Sequence, residues 1–152
     1  MAPITAPFPS GPWFAELVAR ATADKAALER LGIAEFRFGM EILLPDGSSQ
    51  LFGLVLDGYD ITTEGPVTES SFGPDVVFSG PLAAWTEMTG WIGTHGPADS
   101  GHSLNGLSIA GDPFEVRSSD AMGGDKFYRY MGTLQAVFDA ACAPESVPAG
   151  VD

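Results

Sequence analysis

The residue pattern predicts an α+β domain: a mixed, mostly antiparallel sheet of about five strands with helices packed on it. Three observations carry this prediction. Phe36, Phe38, Met40, Ile42 and Leu44 alternate with Arg37, Gly39, Glu41 and Leu43, the period of a half-buried strand. Turn chemistry at Pro45-Asp46-Gly47-Ser48 and at Asp57-Gly58 joins that strand to two more extended runs in an antiparallel meander. Before and after the meander, apolar residues recur at spacings of three and four, the period of amphipathic helices.

The elements follow in order. Residues 1–12 are rich in proline and read as a loose arm. Ser10-Gly11-Pro12 starts a helix, with serine as its cap and proline in the first turn, and Phe14, Leu17, Val18 and Ala21 form its apolar stripe. A short second helix runs from its cap Asp24 to Leu31 and stops at Gly32. The strand Phe36–Leu44 comes next, then Gln50–Leu56 and Tyr59–Thr63. Thr68–Pro74 reads as a loop and Asp75–Phe78 as a fourth strand. A helix follows Ser79-Gly80-Pro81, with Leu82, Trp85, Met88 and Trp91 or Ile92 on its buried face. Gly93–Gly106 reads as a mobile glycine-rich loop. Leu107–Ala110 is expected to be the fifth strand, and Glu115–Gly124 an irregular stretch broken at Gly123-Gly124. Asp125 is expected to cap a last long helix carrying Phe127, Met131, Leu134 and Phe138. Residues 13–143 then form one domain and 144–152 a flexible tail.

Composition narrows the functions. With 152 residues the chain fits one core. Seven basic residues stand against 20 acidic ones, a net charge of −13, which disfavours phosphate backbones and anionic membranes. No nucleic-acid partner is expected, and no membrane insertion, because no window reaches about 18–20 apolar residues. The single cysteine, Cys142, has no basic neighbour and reads as structural. A cytoplasmic location is expected from these features.

The second half carries a family resemblance. "DVVF" (Asp75–Phe78) leads into a helix with "PLAAWTEM", and a glycine-rich connection leads to "LNGLSIAGD" (Leu104–Asp112) before a terminal helix. Gly106-Leu107-Ser108-Ile109-Ala110-Gly111-Asp112 is similar to the glycine-hydrophobic-x-hydrophobic-x-glycine-aspartate strand of the sterol carrier protein type-two family. "FRFGMEILLPDGSSQLFGLVLDG" looks like that family's early meander. The resemblance spans about Trp13 to Ala141; it departs at Gly93–Asn105 and at Pro113–Asp125, which look different and longer. It implies a five-stranded mixed sheet enclosing an apolar cavity that binds sterols, fatty acyl chains or similar lipids, some members serving as parts of enzymes.

A carrier needs a concave apolar lining with few polar anchors. The candidates for that lining are Phe36, Phe38, Met40, Leu54, Leu56, Phe78, Trp85, Met88, Phe127 and Met131, with Phe138 beside them. Any one of these alone reads as ordinary core. An enzyme using the same cavity, such as an isomerase, hydrolase or cyclase, would need an ionisable group inside it. His95 and His102 are the weak catalytic candidates, with Tyr59, Asp60 and Glu64 behind them. The histidines flank Asp99 but match no metal-ligand spacing, so neither metal nor cofactor is expected. Asp120, Asp125, Lys126, Tyr128 and Arg129 could pair at a pocket mouth, and Arg37 could pair with Glu41. The Gly93–Gly106 loop is expected to open as a lid, with the two histidines at its mouth. A third reading is a partner subunit docking through an apolar strand face.

Overall fold

The computed structural model of the chain describes residues 4–118 and 120–141. Two helices, α1 (Gly11–Ala23) and α2 (Lys25–Leu31), precede the strands β1 (Ala34–Leu43), β2 (Ser49–Gly58) and β3 (Asp60–Val67). A one-turn helix, α3 (Glu69–Phe72), leads to β4 (Val76–Pro81) and α4 (Leu82–His95). The chain ends in α5 (Leu104–Ala110), β5 (Glu115–Ser118), α6 (Ala121–Arg129) and α7 (Met131–Asp139).

Local chemistry sets the boundaries. The Ser10 hydroxyl accepts from the Trp13 amide at 3.2 Å and starts α1, and Asp24 accepts from Ala27 to start α2. The Asp46 carboxylate accepts from the Ser48 amide at 2.9 Å, fixing the β1–β2 turn. The β2–β3 turn is Gly58-Tyr59, one residue later than expected, with Asp57 opposite Asp60 and Gly58 at φ +70°.

The sheet order is β3-β2-β1-β4-β5. β1 is central, antiparallel to β2 and parallel to β4. Phe36 lies opposite Leu56, Phe38 opposite Leu54 and Val76, and Met40 opposite Phe52 and Phe78, so these side chains share one face. That inner face, with α1, α4, α6 and α7, forms the main core. The outer face carries a second, small apolar cluster. Gly39 and Gly53 are opposite one another, and a Cβ on Gly53 would fall 2.3 Å from the Phe72 ring. The ring therefore sits directly on the strand backbone, with the Arg37 guanidinium 4.4 Å from its centroid.

Several sequence expectations need correction. Leu107–Ala110 is not a strand but the end of α5, whose cap Ser103 accepts from the Gly106 amide at 3.0 Å. The fifth strand is β5, inside the stretch expected to be irregular, and it pairs with β4 from Val76–Ser118 to Ser79–Glu115. The cap of α6 is Asp120, which accepts from Gly123 at 2.9 Å, and Asp125 lies within the helix. The long terminal helix is two helices meeting at Tyr130. α4 runs to His95, so the expected loop shrinks to residues 96–103. That loop is tied down by the Ala98 amide donating to Asp139, and the first amide of α5, Leu104, donates to Gln135.

Within the expected loose arm, Ile4, Ala6 and Phe8 pack against the core, and the Phe8 ring lies 4.7 Å from Trp13. Cys142 and the expected tail, 144–152, lie outside the described residues.

Candidate functional site

The inner layer is where the candidate lining residues converge. Phe36, Phe38, Met40, Leu54, Leu56, Phe78, Trp85, Met88 and Phe127 are each no more than 3% exposed, and Met131 is partly buried beside them. Phe38 stacks on Phe127 at 5.8 Å and meets Phe138 edge-on at 6.5 Å. Phe78 stacks on Phe114 at 4.7 Å and meets Trp85 edge-on at 5.7 Å. Phe114, missed in the sequence, lies over Gly80, where a Cβ would fall 2.5 Å from its ring. The Trp85 indole N–H donates to the Glu41 carbonyl at 3.0 Å, which satisfies the layer's largest polar handle.

At one end of this layer an apolar recess opens between α2, α7 and the strand ends. Its walls are Leu28, Ala34, Leu56, Tyr59, Ile61 and Thr133, with Gly32 and Gly58 at the lip. Its volume is about 10 Å³, room for one water molecule. Tyr59 is itself 37% exposed, and the chain neighbours of the lip residue Gly32, Leu31 and Ile33, are exposed apolar side chains at 46% and 63%. Ile33 and Tyr59 flank the paired residues Ala34 and Gly58. Sequence reading named Leu56 and Tyr59 but missed Leu28, Ile61 and Thr133.

The two histidines occupy a different place, on the outer side of α4. Trp91 stacks with His95 and with His102, each at 4.5 Å and within 10° of parallel. His102 Nδ1 lies 2.6 Å from Asp99 and Nε2 lies 3.1 Å from Glu87. Carboxylates only accept, so both ring nitrogens must carry protons, which favours the imidazolium. Desolvation pulls the His102 pKa down, but the hydrogen bonds its ring donates to Asp99 and Glu87 outweigh it and hold the ring above its ordinary value. Asp99 is correspondingly held below the usual carboxylate range by its bond to His102. His95 bonds through Nδ1 to Thr94 and to the Trp91 carbonyl. Beside the stack runs an open groove of about 670 Å³ along Pro45, Leu82, Thr86, Gly90, Trp91 and His95.

The remaining charged candidates have structural partners. Arg37 does not pair with Glu41: it donates to the Phe72 carbonyl and lies 3.9 Å from Glu64. Glu41 accepts from Ser79 and Arg117, both at 2.8 Å. Burial raises its pKa, but those two bonds win and hold it below the ordinary value. Lys126 is 3.9 Å from Asp75, Asp125 pairs with Arg129 one turn on, and Tyr128 donates to Ser108 at 3.5 Å. Asp60 is exposed at the start of β3. Among the described residues no group of three or more His, Cys, Asp or Glu side chains is placed to hold a metal ion, and no helix is long and apolar enough to cross a membrane.

A five-stranded mixed sheet with one parallel pair, its apolar face under a layer of helices, defines a sterol-carrier type of α+β fold. Two solved structures share it. The crystal structure of sterol carrier protein 2 superposes with a TM-score of 0.62 at 13% identity, covering 88% of this chain and 96% of that one. The solution structure of a conserved hypothetical protein from Thermus thermophilus, described as a candidate sterol carrier protein, superposes with a TM-score of 0.61 at 12% identity, covering 96% and 99%. No protein-family model matches the chain, and no curated protein sequence matches it.

Proposed function

We propose that this protein binds, and passes on, a hydrophobic small molecule of the sterol, fatty acyl or similar lipid-like kind. The observation that carries the reading is the fold, which is shared over nearly the whole chain with sterol carrier protein 2. The inner layer supports it. Six of the ten candidate lining residues come from the strands and four from the helices packed on them, all in or against one apolar core, where Phe and Met side chains can adapt to an irregular ligand. The ligand would lie between the sheet and the helices, parting side chains that now touch.

A catalytic reading finds less support. Among the described residues the groups with shifted pKa values are Glu41, Asp46, Asp99, His102, Arg117 and Arg129. They sit on the outer face of the sheet, on turns or on helix exteriors, away from the inner aromatic layer. An enzyme built on this layer would have its ionisable group inside it.

Native mass spectrometry of the purified protein tests the proposal. A carrier shows a bound lipid-sized adduct, or gains one when mixed with cis-parinaric acid or cis-parinaryl alcohol. A bare mass under both conditions refutes it.

A further inference from the structure

Three polar side chains are buried in the described structure: Ser79, Thr89 and Thr133. Two are satisfied. Ser79 donates to Glu41 at 2.8 Å and Thr89 to the Trp85 carbonyl at 2.9 Å. Thr133 is 8% exposed, and no residue among those described hydrogen-bonds its hydroxyl. Buried hydroxyls without partners are uncommon, because each forgoes its bonds to water. This one lines the apolar recess with Tyr59 and with Gly32, the chain neighbour of the exposed Leu31 and Ile33.

Resting on the carrier reading, we propose that this recess is the way in to the ligand site and that Thr133 is its polar anchor. The chemistry selects the ligand class. The recess wall contains no Lys or Arg, so a buried carboxylate would lack a counter-charge there. A neutral amphiphile with one hydroxyl or carbonyl supplies the partner that Thr133 lacks, while its apolar body runs inward past Leu56 towards Phe36. The exposed apolar rim fits the same class, since it would cover the part of such a ligand still outside.

The recess is too small for any such molecule as it stands, so a wall must move. α2 is that wall. It is seven residues long and buries a single side chain, Leu28. Gly32, at φ +93°, ends it, and only glycine takes that conformation without strain. Elements with few buried apolar contacts open first. Displacing α2 about Asp24 and Gly32 removes Leu28 from the recess and uncovers Leu56 and Thr133.

The test compares cis-parinaryl alcohol with cis-parinaric acid by polyene fluorescence at pH 7, in the wild type and in Thr133→Val. The wild type is expected to bind the alcohol about tenfold tighter than the acid. Thr133→Val should weaken the alcohol about three- to tenfold and leave the acid unchanged. Because the hydroxyl has no partner among the described residues, valine should leave the melting temperature level or raise it. Equal binding of both probes with no effect of Thr133→Val overturns the site and leaves the carrier reading intact. A lower melting temperature of Thr133→Val without ligand overturns it too, because the hydroxyl would then be satisfied internally. Failure of the wild type to bind either probe removes the carrier reading and this inference together.

Discussion

The two ends of the inner apolar layer are built differently. At the α4 end, Trp85 is fully buried, touches Phe78, Phe114 and Phe138, and has its indole N–H bonded to Glu41. At the α2 end, one leucine holds a short helix over a recess with an unbonded threonine and an exposed apolar rim. The same apolar face thus divides into a part that supplies stability and a part from which little stability is lost on opening.

The largest expected effect is at the tight end. Trp85→Ala should cost about 3–5 kcal/mol in denaturant unfolding, from lost burial and the cavity left behind. Leu28→Ala should cost about 2 kcal/mol, the low end for a buried leucine, because α2 can settle into the space. Amide exchange sharpens the contrast: Leu28→Ala should leave α2 unprotected while β1 keeps its protection. Equal costs for the two substitutions, or loss of protection throughout the sheet in Leu28→Ala, would erase the difference between the ends.

The smallest effect concerns the histidine stack on the outer side of α4. The His102 pKa is raised above 6.5, so its contribution is complete below that value and is lost as pH rises through the folded pKa. The Asp99 pKa is lowered from 3.8, so its contribution is present above that value and is lost as pH falls through the depressed one. The stack is firmest between these limits. Melting temperatures from pH 5 to 9 should fall slightly on the alkaline side in the wild type, and His102→Asn should flatten that slope. The pair lies at the surface with the Asp99 carboxylate about half exposed, and solvent screening keeps the effect small. A slope unchanged in His102→Asn assigns it to another group.

Long periodic segments were legible in the sequence and short ones were not. The alternation through Phe36–Ile42 placed the central strand because one face is buried along its whole length. Leu104–Ala110 misled because its apolar residues, Leu104, Leu107 and Ile109, fit either period over so short a run. Its true signal was Ser103, the cap. β5 has almost no apolar signal: Val116 is its one large apolar residue, and pairing with β4 is what makes it a strand.

Two glycines misled for a common reason. Gly123 was read as a breaker and Gly106 as part of a mobile loop, yet each permits a close approach. A Cβ at Gly123 would lie 2.1 Å from the Asp75 carbonyl oxygen, and one at Gly106 would lie 2.0 Å from that of Ser100. Tertiary packing of this kind leaves no periodic trace. The aromatic members of the candidate site were visible as types, whereas the unbonded state of Thr133 depends on which neighbours surround it.

The ring of Phe72 seated on Gly53 of β2 has a mechanical consequence. It works as a wedge driven against the back of the sheet and held by Arg37, while Leu51 and Val77 cover the facing Gly39. A sheet braced from behind cannot bow outward when something presses on its front. Any swelling of the interior would then be taken up by the helices, so the molecule has one stiff wall and one compliant wall.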